Sequence, residues 1–225
     1  MYKSEHDESK QMSPSSKQAN GEAAGSQEPS QWRPPVLETQ RLRLRPLSLD
    51  DVMSIYEYAK NSENVRYTGF DRAESAKDTL EFVEHTLNIR YNERHEGEWA
   101  IELKGSPGAE MLGTIGCFFA KDDRKIVELG YILTQDHWGK GYVSEAACAV
   151  RDWAFENYDI HRLQARCVSE NIGSWKIMEK IGMQCEGTLR KFFKRGDHYW
   201  DFKIYSLLRE EWSQQFQRHS AQDKG

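Results

Sequence analysis

The first 31 residues of this 225-residue chain contain no isoleucine, leucine, valine or phenylalanine. Ser, Gln, Glu, Gly and Ala dominate there, and such a segment buries too little apolar area to offset the entropy of ordering it. A disordered leader is expected over 1–33, one folded domain over 34–213 and a frayed tail over 214–225, with Trp32 to Pro35 as the boundary. No stretch approaches the ~20 apolar residues of a membrane span. The N-terminus also lacks the apolar segment of a secretory signal. Both absences point to the cytoplasm and to no membrane partner. The four cysteines, at 117, 148, 167 and 185, include no C-x-x-C pair. That argues against a zinc or disulfide framework and for reduced residues in or near the core. The histidines show no ligand spacing, and neither H-E-x-x-H nor G-x-S-x-G occurs, so no metal and no covalent nucleophile is expected. An excess of one charge is missing too: 31 Lys and Arg against 36 Asp and Glu leave −5. No global field draws such a chain onto nucleic acid or anionic lipid.

What is present is a pattern whose period switches repeatedly. Leu42 and Leu44, alternating with arginines 41, 43 and 45, predict a strand. Ser48 caps a predicted helix over 49–60, with Asp50 and Asp51 in its first turn. Ala76, Leu80, Val83, Leu87 and Tyr91 share one face of a longer helix. Strand-like runs follow at 98–103, 111–120 and 125–134. Val143, Ala146, Ala147, Val150 and Ala154 form the core stripe of a helix over 142–157. A strand over 163–168, a helix over 171–181 closed by Gly182, and a hairpin of 183–193 with 198–208 complete the chain. The order predicts an α/β (α+β) domain, a mixed sheet with helices on its faces.

One loop carries chemistry. The strand ending near Thr134 runs through Asp136-His137-Trp138-Gly139-Lys140-Gly141 into the helix that starts at Tyr142. Two glycines let the backbone turn tightly and come close to a ligand. The free N–H groups of the helix start, with its dipole, then suit a phosphate or pyrophosphate. The same residues would also make a plain glycine-rich turn. A dinucleotide fingerprint needs a third glycine where Ser144 stands, and a P-loop needs Ser or Thr where Gly141 stands.

The segment resembles the acyl-CoA loop of GCN5-related N-acetyltransferases, and more narrowly the RimJ/RimL group, which acetylates N-terminal amines of ribosomal proteins. The matches run in order from Thr39-Gln40-Arg41-Leu42-Arg43-Leu44-Arg45 through Leu112-Gly113-Thr114-Ile115-Gly116 and Val127-Glu128-Leu129-Gly130-Tyr131. They continue through Trp138-Gly139-Lys140-Gly141-Tyr142-Val143-Ser144-Glu145-Ala146 and His161-Arg162-Leu163-Gln164-Ala165 to Asn171-Ile172-Gly173-Ser174 and Tyr205-Ser206-Leu207-Leu208. The resemblance implies a mostly antiparallel sheet splayed between its fourth and fifth strands, here 128–134 and 163–168, with acetyl-CoA in the opening. Leu129, Tyr131, Ile132, Asn171 and Ser174 would line the pantetheine arm, and His137, Trp138, Gly139, Lys140, Gly141 and Tyr142 the diphosphate.

Each of these residues also has a plainer use. Asn171 serves as an ordinary helix cap through the N–H of Ser174, and Lys140 as a solvated loop lysine. Many relatives place a tyrosine seven residues after the Asn to protonate the departing thiolate. Here that position is Met178, which leaves Ser174 or water for the task. A thiol with a pKa near 8.5 leaves tolerably without full protonation. Glu128 is the candidate general base, an acid mid-strand where acids are costly unless solvated or used; an outward-facing strand acid is the alternative. Arg66 and Tyr67, in the segment Asn64-Val65-Arg66-Tyr67-Thr68-Gly69, are the candidate acceptor-binding residues. The expected reaction is direct attack by a primary amine on acetyl-CoA in a ternary complex. The acceptor expected from the resemblance is a protein N-terminal α-amine, such as that of a ribosomal protein, taken up by a monomer or homodimer with no direct nucleic-acid contact. The alternatives are a small amine (a polyamine or aminoglycoside) and a non-catalytic acyl-CoA-binding module.

Overall fold

A computed structural model describes residues 31–106 and 110–214. Residues 1–30 of the expected leader, and 215–225 of the expected tail, lie outside them. Trp32 and Arg33, assigned above to the leader, pack on the domain: the Trp32 ring meets Tyr91 edge-on at 6.2 Å, and the Arg33 guanidinium lies 5.1 Å from the Tyr91 ring centre. The aromatic and cationic surface of these two residues is what packs on Tyr91.

Eight strands form one sheet: β1 (Leu37–Glu38), β2 (Leu42–Pro46), β3 (Gly97–Leu103), β4 (Met111–Phe119), β5 (Ile126–Leu133), β6 (Arg162–Val168), β7 (Gln184–Arg195) and β8 (His198–Leu208). Their spatial order is β1-β2-β3-β4-β5-β6-β8-β7. Every neighbouring pair is antiparallel except β5 with β6. The expected mixed, mostly antiparallel sheet is what the chain forms. The two-residue β1 makes the expected fourth and fifth strands β5 and β6.

Strand alternation sorts the core into two faces. Trp99, Ile101, Val127, Leu129 and Leu133 point to one face and pack with Val143, Ala146, Ala147, Val150 and Ala154 of α4 (Tyr142–Asn157) and Met178 of α5 (Ile172–Lys180). Ala100 and Ile132 point the other way, to Ile55, Tyr58 and Ala59 of α1 (Val52–Ala59), Val65 of α2 (Ser62–Val65) and Val83 of α3 (Ala76–His85). The alanines of α4 leave room for that helix to settle closely on the sheet. At the C-terminal end a helical segment over 209–214 stacks Trp212 on Phe155, with ring centres 5.2 Å apart.

Two predicted helices differ in detail. Residues 49–51 form a 3₁₀ turn before α1 because Asp51 is drawn inward. Its carboxylate accepts from the Ser48 N–H at 2.8 Å and from both terminal nitrogens of Arg45, at 2.8 and 2.6 Å. The helix expected through Tyr91 widens after His85 into π-helical turns over Thr86–Arg94. There Thr86 and Arg90 both meet the buried carboxylate of Glu98, and the Tyr91 hydroxyl meets the Glu98 carbonyl. Thr86 and Arg90 thus reach the Glu98 carboxylate while Tyr91, five positions after Thr86, reaches its backbone carbonyl, and the wider spacing of a π turn turns all three toward one residue.

Candidate active site

β5 and β6 pair over only three positions, Ile126–Arg162, Val127–Leu163 and Glu128–Gln164. Beyond Glu128 the strands part, so Leu129 to Leu133 keep β4 as their only strand partner among the described residues. The backbone groups on the open side of this run are what a ligand amide can use in place of a strand. Leu129 and Ile132, both expected to line the cofactor arm, bury their side chains in opposite core layers. What they offer a ligand is backbone.

The unpaired run leads straight into the loop. Thr134 donates its N–H to the Leu112 carbonyl at 2.8 Å, and a 3₁₀ turn over Gln135–His137 carries the chain round to α4. Gly139 and Gly141 have φ of 74° and 79°, the left-handed region that costs other residues energy. A side-chain carbon at Gly139 would meet nothing within 4 Å, so its surroundings are open space above the loop. The first N–H groups of α4 have no acceptor inside the helix. His137 Nδ1 is buried with no partner among the described residues, a polar atom left over at the same place. Trp138 anchors the loop by donating from Nε1 to the Leu133 carbonyl at 2.8 Å while half its surface stays exposed. Open space, free amides and an orphaned ring nitrogen together fit a diphosphate.

A lock that sequence reading left without a role holds this loop down. Glu145, in the first turn of α4, accepts from Thr39 Oγ1 at 2.6 Å, from the Arg41 N–H at 2.7 Å and from Arg41 Nε at 2.7 Å. Arg41 Nη1 also donates to the Lys140 carbonyl at 3.0 Å, and its guanidinium lies 4.7 Å from the Tyr142 ring centre. Burial works against the charged form of Glu145, but the hydrogen bonds from Thr39 and Arg41 outweigh it and hold the carboxyl below its usual range. The sequence carried the signal: Thr39, Arg41 and Glu145 all fall in the matched segments.

Across the fork stands the start of α5. Asn171 Oδ1 accepts from the Ser174 N–H at 3.2 Å, the expected cap. Ser174 is nearly buried, and its Oγ lies 2.9 Å from the Tyr131 hydroxyl. The fork therefore brings Tyr131, Asn171 and Ser174 together. Met178, one turn on, is buried in the core.

Glu128 sits at the branch point, on the face of the sheet that carries α1 to α3. Its carboxylate accepts from Arg166 Nε at 3.1 Å, from Arg166 Nη2 at 2.9 Å to each oxygen, and from Gln164 Nε2 at 3.4 Å. About a third of its side chain stays exposed. A carboxylate has roughly four lone-pair sites, and this exposure keeps it within reach of water. Arg166 was missed, although Arg162, Gln164 and Arg166 alternate on β6 and mark a wet face.

Arg66 and Tyr67 lie on the same side of the sheet but are not in the fork. Arg195 at the end of β7 donates from Nη1 to the Val65 and Arg66 carbonyls, each at 2.9 Å. Tyr67 meets Trp200 of β8 edge-on at 5.8 Å, and Asn64 Oδ1 accepts from the Gln135 N–H at 2.9 Å. α2 and the loop after it thus span from the end of the β5 run to the tip of the β7–β8 hairpin. Of the cysteines, 117 and 167 are buried, 148 is half-buried and 185 is exposed on β7, outside the core expected for it. Among the described residues no group of three or more His, Cys, Asp or Glu is placed to hold a metal, and no helix is long and apolar enough to cross a membrane.

Comparison with known proteins agrees with this geometry. A family model described as acetyltransferase (GNAT) domain matches residues 41–184. The chain is 30% identical over 175 residues to the uncharacterized N-acetyltransferase YoaA of Bacillus subtilis, which covers 78% of this chain and 97% of YoaA. It is 22% identical over 158 residues to spermidine N(1)-acetyltransferase of Escherichia coli, covering 70% of this chain and 81% of that one. Among solved structures, RimL, described as a ribosomal L7/L12 alpha-N-protein acetyltransferase in complex with coenzyme A, superposes with a TM-score of 0.68. It shows 18% identity over 79% of this chain and 99% of RimL. With a forked sheet, an anion-ready loop at its mouth and a domain match across most of the folded chain, this protein belongs to the GNAT acetyltransferases and is an acetyl-CoA-dependent N-acetyltransferase.

Proposed function

We propose that the protein acetylates the free α-amine at the start of a protein or peptide, such as a ribosomal protein, by direct attack of the bound amine on acetyl-CoA in a ternary complex. The observation that carries the chemistry is the fork itself: pairing stops at Glu128–Gln164, where a carboxylate and an open strand edge adjoin. In this reading the pantetheine arm lies along Leu129 to Leu133, and the diphosphate on the loop from His137 to Tyr142. Asn171 and Ser174 face the thioester end. An α-amine, with a pKa near 7.7–8.0, is substantially neutral at pH 7.5. Glu128 then needs only to accept the proton that the tetrahedral adduct releases, directly or through water.

The acceptor assignment rests on the RimJ/RimL-like segments, on the activity named for RimL, and on the wall formed by the α2 loop and the hairpin. Arg66 and Tyr67 border that wall, where a short peptide finds hydrogen bonds and a ring to pack on. A net charge of −5 favours a basic partner, weakly at physiological salt. The relationship to spermidine N(1)-acetyltransferase supports a second acceptor class, a polyamine. Mass spectrometry on short peptides with Ala, Ser or bulky first residues, run beside spermidine and an aminoglycoside, separates the two. Faster turnover of the Ala and Ser peptides is expected. Spermidine or the antibiotic outpacing every peptide would refute the N-terminal assignment and leave a small-amine acetyltransferase.

A further inference from the structure

Two acids on the side of the sheet that carries α1 to α3 are already matched with arginines of this chain. Glu128 is held by Arg166, and the exposed Asp71 carboxylate lies 3.4 Å from Arg195 Nη2. Arg195 does more than pair. Its Nη1 donates to the Val65 and Arg66 carbonyls, each at 2.9 Å, and its Nη2 reaches the Phe70 carbonyl at 3.5 Å. The loop is folded for this. Thr68 Oγ1 lies 2.8 Å from the Val65 oxygen and 3.0 Å from the Phe70 oxygen, which draws those carbonyls together. Three carbonyls and a carboxylate thus surround one guanidinium, whose fork of N–H donors suits such a set. The Arg195 side chain is only 29% exposed, so its charge is partly withdrawn from water. Its position continues the face of Glu128. Ile204 pairs with Arg166, Phe202 and Trp200 follow at every second residue of β8, and Arg195 pairs with His198 one step further on.

We propose that Arg195 determines which amines are accepted: its guanidinium fills the cluster of oxygens that a second ammonium group would need, and so turns polyamines away. This rests on the reading of the fork as the acetyl-CoA site, with the acceptor on the side of Glu128. An acceptor whose amine meets Glu128 trails the rest of its molecule along β8, towards Trp200 and Arg195. The start of a peptide with neutral side chains brings one cation, and its remaining atoms pack on Ile204, Phe202 and Trp200. A polyamine brings further ammonium groups on an aliphatic chain. These meet a fixed positive charge at the place where oxygens would have held them. Like charges repel more strongly where water is partly excluded. Without the guanidinium, the Arg66 carbonyl and the Asp71 carboxylate stand open to a cation from solution. Thr68 still holds the Val65 and Phe70 oxygens beside them.

The test compares spermidine with an Ala-first peptide of neutral side chains, reading kcat/KM in the wild type and three variants. Arg195→Ala and Arg195→Gln are each expected to raise the spermidine-to-peptide ratio on the order of tenfold. Arg195→Lys keeps a cation at the place and is expected to leave the ratio near its wild-type value. Gln still donates a hydrogen bond to the loop, so it separates the charge from the tie. Melting temperatures and calorimetric acetyl-CoA affinities are expected to stay unchanged in all three, which guards against misfolding. Equal losses on both acceptors, a shift in the Ala variant that is absent from the Gln variant, or no shift in either would overturn the role of Arg195. The wild-type preference judges the N-terminal assignment separately. Spermidine ahead of every peptide refutes that assignment, while the change on substitution still decides Arg195. Full acetyl-CoA affinity in Gly141→Val would remove the fork reading itself, and turnover of neither acceptor by the wild type would overturn both.

Discussion

A carboxylate in the middle of a strand is informative only when its partners are known. Glu128 is tied to Arg166 and Gln164 on the facing strand, at the last paired position before β5 and β6 separate. These contacts aim the carboxylate without burying it. Replacing Glu128 by Gln keeps the shape and removes the basicity. Turnover is expected to fall on the order of 10²-fold at pH 7, with acetyl-CoA affinity nearly unchanged. The deficit shrinks at high pH, where hydroxide and water take over the proton. Steady-state rates from pH 6.5 to 9.5 with calorimetry at pH 7 check this, and undiminished turnover at pH 7 would assign the base elsewhere.

Between elements, an ion pair supplements the β6–β8 ladder that joins the outer hairpin to the rest of the sheet. Glu186 on β7 accepts from Ser206 Oγ and Arg162 Nη1, both at 2.7 Å, and also from Arg162 Nη2. The Arg162 hydrogen bond, then that of Ser206, holds its carboxyl down to about 2. A group whose pKa is lower folded than unfolded adds stability above its unfolded pKa of about 4.3. That increment disappears as pH falls from about 5 towards 2. Exposure of the Glu186 side chain keeps it small. Glu186→Gln is expected to lower the melting temperature slightly at pH 7 and to flatten its decline between pH 5 and pH 2. Thermal melts across that range decide the matter, and parallel declines in the two proteins would place the acid sensitivity elsewhere.

At the scale of the whole molecule, the sheet is two halves hinged on three residue pairs. A ligand seated in the opening touches both halves and binds only the folded chain. At a hundredfold excess over its Kd it adds about 2.7 kcal/mol. For a domain of this size that raises the melting temperature on the order of 5–10 °C. Acetyl-CoA is expected to give such a shift, and Gly141→Val to abolish it, because a β-branched residue strains the left-handed turn and crowds the loop. Differential scanning fluorimetry with both proteins reads it out, and an equal shift in the variant would show that the loop does not hold the ligand.

Much of this could be read from the chain before any coordinates. Local periodicity and turn chemistry determine the α4 stripe from Val143 to Ala154, the glycine turn at 139 and 141, the Asn171 cap on Ser174 and the hairpin of β7 with β8. Each depends on residues a few positions apart, so their spacing carries the information. Tertiary structure alone decided the rest. Arg166 meets Glu128 across 38 residues of chain, Glu145 meets Arg41 across 104, and Arg195 meets Val65 across 130. The π turn after His85 answers to a buried acid at Glu98, and the Tyr131–Ser174 contact exists only because the strands part beyond Glu128. Contacts of this kind are set by how far two strands diverge and which face each residue takes. A one-dimensional pattern records the face but not the distance.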